Sequence, residues 1–167
     1  MGDTPADFLE FAHARSEQLF RTACLLTGDR HLAEDLVQET LAKMYRSWRR
    51  IDRTHAPVAY AHTVLVRTFT SYRRRRSAQE RPVERLPEGA ETGGDPELRL
   101  TLLDGLARLA PKERAVLVLR YWEDRSVEET ARMMQLTPGA VRTRSLRALQ
   151  KLRAVLGDEL LADLAHV

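Results

Sequence analysis

The stretch SVEETARMMQLTPGAVRTRSLRALQKL, residues 126–152, decides how this chain is read. Ser126 followed three residues later by Glu129 is the pattern of a capping box: a hydroxyl at the N-cap and a carboxylate reaching back to the cap. The helix it opens is expected to end near Met134. Gln135, Leu136 and Thr137 form a three-residue connector. Thr137 can cap the next helix, and Pro138 suits a first turn, where no backbone N–H is needed. Ala131 is small where the two helices would cross, and Val127, Leu136 and Val141 would fill their corner. A short capped helix, a tight turn and a long second helix make a helix-turn-helix, the unit that lays its second helix in a major groove.

The second helix has two chemically distinct sides. Val141, Ala148, Leu149 and Leu152 fall on the inward side. Arg142, Thr143, Arg144 and Arg147 fall outward near the N-terminus, where base edges are met. From Arg142 to Arg153 there is no acidic residue. An arginine fork donates two hydrogen bonds at once, which suits guanine edges and phosphates alike. The helix N-terminus adds a favourable dipole for phosphate. Leu146 is apolar yet lies outward, where it can meet a thymine methyl or a partner protein.

Working upstream, Pro111 opens a helix running through Trp122, preceded by one over residues 97–109. Residues 77–96 hold Pro82, Pro87, Gly89, Gly93, Gly94 and Pro96, and residues 81–97 carry five acids against two bases. That composition predicts a flexible acidic linker over residues 77–97. Three helices are expected before it. Residues 7–26 place Phe8, Phe11, Leu19, Phe20 and Ala23 at helical spacing. Residues 31–48 place Leu32, Leu36, Val37, Thr40, Leu41 and Met44 on one side. The third begins at Pro57 and runs to about Arg75, with Tyr60, Val64, Leu65 and Thr68 as its buried stripe. No segment alternates as a strand would. The chain therefore reads as all-α, two small helical domains on a flexible linker.

Bulk properties agree with that layout. The 167 residues carry a net charge of +3 with a pI near 9.3. The bases cluster, in Arg73 to Arg76 and again along the last helix, on either side of the acidic linker; this suggests two polyanion-binding units. Cys24 is the only cysteine, so no intrachain disulfide or cysteine-rich metal site can form. No window approaches the roughly 18 apolar residues of a membrane-spanning helix. The first twenty residues lack the basic-then-apolar order of a signal peptide, and a cytoplasmic protein without membrane insertion is expected.

The string AEDLVQET, residues 33–40, places Asp35, Gln38 and Glu39 on one helical face through i+3 and i+4 spacing. Spaced carboxylates admit a metal site, an acid–base pair or a docking face. No histidine–carboxylate pair is placed to complete a metal site. No nucleophile or pocket signature accompanies them. A charged face for a partner, or plain solvation, remains; neither catalysis nor a metal or other cofactor is expected.

Taken in order, these segments resemble the bacterial RNA polymerase sigma-70 family. AEDLVQET with Lys43, Tyr45 and Trp48 resembles its second region. The stretch from Pro57 through Leu65, Val66, Arg67 and Thr68 to Tyr72 and Arg73–Arg76 resembles the promoter-melting part of that region. LAPKERAVLVLR, residues 109–120, and the helix-turn-helix resemble the fourth. The first and third regions of larger members are missing, as in the extracytoplasmic-function (ECF) group, and the arginine-rich ending of the third helix resembles an actinobacterial-type branch.

The resemblance implies a sigma factor: a non-enzymatic subunit that binds core RNA polymerase and directs promoter-specific initiation. It implies region 2 at residues 1–76 and region 4 at residues 98–167, the latter of the winged-helix-like DNA-binding class. Asp35, Leu36, Gln38, Glu39 and Tyr45 would dock on the clamp helices of the largest polymerase subunit, and the flap of the second-largest would be a further contact. Arg67, Thr68, Tyr72, Arg73, Arg74, Arg75 and Arg76 would hold the melted −10 element, with Tyr60, Phe69 and Tyr72 as stacking candidates. Thr137, Arg142, Thr143, Arg144 and Arg147 would read the −35 duplex. An anti-sigma factor is the further partner implied. Two departures stand out. The family often has asparagine near Arg67–Thr68, so its −10 preference does not carry over. Gln135 stands at the usual connector glycine; in a left-handed conformation it should cost on the order of 1 kcal/mol.

Overall fold

The computed structural model describes residues 4–51, 57–76 and 96–158. The chain divides into two compact units, Met1–Val83 and Glu84–Val167. Among the described residues all regular structure is helical. The linker expected at 77–97 lies outside the described residues except for its last two, and these already belong to a helix beginning at Pro96.

The first unit contains α1 (Thr4–Thr27), α2 (Arg30–Ser47) and α3 (Pro57–Arg76), each packed on the other two. The α1–α2 corner is built from local chemistry. Gly28 takes a positive φ of 66° and its N–H donates to the Cys24 carbonyl at 2.8 Å, a helix stop that glycine adopts without steric penalty. Asp29 then caps α2, its carboxylate accepting from the Leu32 N–H at 3.0 Å. At the other end of this pair, Phe8 of α1 meets Tyr45 and Trp48 edge-on at 5.2 and 5.4 Å. Leu19, Leu26, Met44, Leu65 and Phe69 are fully enclosed; burying each large apolar side chain contributes about 1.5–3 kcal/mol.

The stripe expected on α3 is rotated. Ala61, His62, Leu65, Val66, Thr68 and Phe69 face the interior, whereas Tyr60 is 40% exposed and Val64 only half-buried. Packed by both α1 and α2, this helix buries a face wider than a single stripe.

The second unit contains α4 (Pro96–Ala107), α5 (Pro111–Leu117), α6 (Val127–Met134) and α7 (Pro138–Leu156). Gly105 lets α4 approach α7 closely: a Cβ there would stand 3.0 Å from the Leu152 Cδ2. Ala110 offers no side-chain acceptor at the start of α5, but its N–H donates to the Glu113 Oε2 at 3.4 Å. The helix expected to run through Trp122 changes pitch. Val118–Trp122 forms a π turn, with the Glu123 N–H reaching the Val118 carbonyl at 3.0 Å. The extra residue turns Tyr121 and Trp122 outward. The α6–α7 corner closes over Val116, Ala131 and Val141, with Val127, Met134 and Leu136 packed against them.

Candidate nucleic-acid and protein interfaces

The helix-turn-helix is fixed by caps at both helix starts and by one strained residue between. The Ser126 hydroxyl accepts from the Glu129 N–H at 3.0 Å, and the Glu129 Oε2 accepts from the Ser126 N–H at 2.8 Å. That N–H, then the Ser126 side chain, with Arg125 and Arg132 adding attraction, holds the Glu129 carboxyl below its ordinary range against the opposing effect of desolvation. Gln135 closes α6 at φ 55°, ψ 44°, the left-handed conformation. The Leu136 N–H returns to the Ala131 carbonyl at 2.9 Å. Thr137 then starts α7, its hydroxyl accepting from the Ala140 N–H at 3.1 Å.

Of the residues expected to read duplex, Thr137, Arg142, Thr143 and Arg147 are exposed on α7. Thr137 spends its acceptor on the cap. Arg144 is half-buried, its Nε enclosed without a hydrogen-bond partner; it is not fully outward as the helical wheel implies, because it lies one turn from the buried Val141 and Ala148 of its own helix. Leu146 is 59% exposed, beside these polar residues. Cations further along are engaged: Lys151 binds the Glu113 Oε2 at 2.8 Å. One residue that sequence reasoning missed is Glu128. It stands on α6, and its Oε1 lies 3.6 Å from the Arg142 Nη2. Only the α6–α7 crossing brings the two together across fourteen positions.

In the first unit, α2 presents Asp35, Gln38 and Glu39 on one exposed face. Glu39 is paired with Lys43 at 3.2 Å. Tyr45 is exposed further along, its ring supported by Phe8. Leu36 does not join this face: at 6% exposure it lies in the core. Its apolar periodicity already placed it inward, and packing against α1 and α3 realises that.

Along α3, Arg67 and Arg74 are exposed, while Tyr72 and Arg73 are half-buried. The helix continues through Arg76, but the side chains of Arg75 and Arg76 lie outside the described residues. Thr68 is not on the outer face. It is 2% exposed, and its hydroxyl accepts from the Lys43 Nζ at 3.0 Å. Phe69 is likewise core, at 1% exposure, so it offers no stacking surface. The outer line of α3 is Tyr60, Arg67 and Arg74, two turns apart each. Seven-residue spacing keeps residues on one face, and that repeat was the available signal.

This arrangement can bind nucleic acid and an oppositely charged protein surface. Among the described residues no group of three His, Cys, Asp or Glu could hold a metal ion, and no helix is long and apolar enough to cross a membrane.

Comparison with known proteins matches both units. Residues 12–79 match the family model "Sigma-70 region 2", and residues 105–154 match "Sigma-70, region 4". The chain is 39% identical over 155 residues to the RNA polymerase sigma-E factor of Streptomyces coelicolor, covering 90% of this chain and 86% of that protein. It is 32% identical over 152 residues to the ECF RNA polymerase sigma factor SigL of Mycobacterium tuberculosis, covering 84% and 83%. Among solved structures, the sigma factor RpoE of Bartonella quintana, crystallised with the anti-sigma factor NepR, shares the fold. The TM-score is 0.77 at 24% identity, over 91% of this chain and 98% of that one.

Proposed function

The chain belongs to the sigma-70 family of RNA polymerase sigma factors, in its ECF group, and we propose from that premise a division of labour between its two units. The chain acts with core RNA polymerase in promoter-specific transcription initiation. It does so as a dissociable, non-enzymatic subunit in the cytoplasm.

Residues 1–76 serve as the polymerase-docking and −10-binding unit, and residues 98–167 as the −35-binding unit. Asp35, Gln38 and Glu39, with Tyr45 beside them, dock on the clamp helices of the largest subunit. An acidic-polar face against a basic coiled coil gives steering and register more than raw affinity. The Tyr60–Arg67–Arg74 line of α3, with Tyr72 and Arg73 at its edge, carries the melted non-template strand: cations meet phosphates, and an exposed ring offers a stacking surface. Arg142, Thr143 and Arg147 bind the −35 duplex, with Arg144 contributing from the edge of the helix. The flap of the second-largest subunit is a further contact of the second unit. The sigma factor of Bartonella quintana was crystallised with an anti-sigma factor, and an inhibitor of that kind, covering both polymerase-binding faces, is proposed here too.

The observation that carries this reading is one chain holding an acidic docking face and a basic helix-turn-helix in two separate units. The test is run-off transcription of genomic fragments with purified core polymerase. Defined start sites that appear only when the chain is added support it. Transcription unchanged by the chain would sink it, as would a stable dimer that protects palindromic DNA without polymerase.

A further inference from the structure

We propose that Glu128 is a positioning residue for Arg142, and that the pair sets how strictly one base pair of the −35 element is read. This rests on the assignment of α7 as the duplex-reading helix.

The geometry is fixed by structure on both sides of the pair. The Ser126–Glu129 capping box pins the first turn of α6, where Glu128 is the second residue. Thr137 and Pro138 pin the first turn of α7, where Arg142 is the fifth. The left-handed Gln135 and the Val116–Ala131–Val141 core set the angle between them. Within that frame the Glu128 Oε1 stands 3.6 Å from the Arg142 Nη2, and the two side chains keep 61% and 62% of their exposure. So exposed a pair adds little to folding stability. Its position matters more, because it occupies the surface a duplex would cover.

An arginine on a groove-facing helix has two competing uses. Its fork can grip the O6 and N7 of one guanine, or it can bind phosphate on any sequence. Glu128 biases that choice. Its carboxylate, 3.6 Å from one guanidinium nitrogen, favours orientations of the fork that keep that nitrogen on its side. By placing a negative charge beside the cation it weakens attraction to anionic phosphate far more than to a neutral base edge. Arg147, exposed on the same helix, engages no acid among the described residues, and supplies the sequence-independent phosphate contact. One arginine held for reading and one left for charge is a division the amino-acid order alone does not reveal.

The test uses the full chain with core polymerase and a promoter library randomised across the upstream element, read by sequencing the run-off transcripts. Wild type, Arg142→Ala, Glu128→Gln and the double variant are compared. Arg142→Ala is expected to flatten the preference at one base pair. Glu128→Gln should weaken the same preference about five- to tenfold. It should also steepen the salt dependence of binding to a scrambled upstream duplex by about one ion. The double variant should match Arg142→Ala alone. Glu128→Asp keeps the charge at the helix start but shortens the reach, so it should weaken the preference as Glu128→Gln does while steepening the salt dependence less; it also serves if the glutamine variant folds poorly. Unaltered preference in both Glu128 variants overturns the proposal, as does equal loosening at every position. If Arg142→Ala itself changes no preference, the base-reading role of Arg142 fails first and the proposal with it.

Discussion

Single residues in the α6–α7 turn carry measurable strain and measurable charge. Gln135 holds a left-handed backbone at φ 55°, which costs a side-chain-bearing residue about 1 kcal/mol more than glycine. Gln135→Gly is therefore expected to raise the urea midpoint of the full chain, stabilising it by roughly 0.5–1 kcal/mol with an unchanged m-value. The sequence raised this strain only as a condition, because Gln135 stands where the resembled family usually has glycine. Glu129 makes a pH prediction. Its carboxyl is held below its ordinary value of 4.5, chiefly by the Ser126 backbone N–H. A lowered folded-state pKa stabilises fully above the unfolded value and ceases to do so as pH falls through the folded one. Wild type should thus exceed Glu129→Gln in thermal midpoint near neutral pH, and the gap should narrow as the pH falls below 4.5 and close below the lowered folded-state value. A gap independent of pH would mean that the charge plays no part in the cap.

At the scale of whole helices, a face rather than a residue is the functional unit. The acidic side of α2 should lose polymerase binding when Asp35→Lys and Glu39→Lys are combined, by about 1–3 kcal/mol in a competition assay with core enzyme. Duplex binding by the same full-length variant should not change; equal loss of both would contradict separate faces. Leu36→Ala, one residue away, should instead lower folding stability by about 2–5 kcal/mol, because Leu36 is core. Helical periodicity made that side of α2 legible, since its apolar stripe is narrow. On α3 it was less informative. Two partner helices bury a broad face there, so Thr68 lies inward as its spacing predicts, but Phe69 joins it and Tyr60 turns outward. The π turn at Val118–Trp122 was equally hidden, because a one-residue change of pitch leaves the hydrophobic pattern nearly intact.

For the molecule as a whole, the proposed function sets the acidic face of α2 toward polymerase and the basic faces of α3 and α7 toward DNA. Binding of upstream duplex by the second unit should weaken linearly with the logarithm of salt concentration, and Arg147→Ala should lower that slope by about one without altering base preference. A change of preference would make Arg147 a reader rather than a phosphate contact. Amino-acid order by itself determined a great deal here: the all-α class, the caps at Ser126 and Thr137, the three-residue connector, the acidic α2 face and the acid-free outer side of α7. Each of these is local, set by propensity, capping or a period within a single helix. Tertiary structure decided the rest. It turned Tyr60 outward and Phe69 into the core, drew Arg144 half inward, and brought Glu128 to Arg142. Those outcomes depend on how many neighbours a helix packs against and at what angle two helices cross, and neither quantity is written in any one segment.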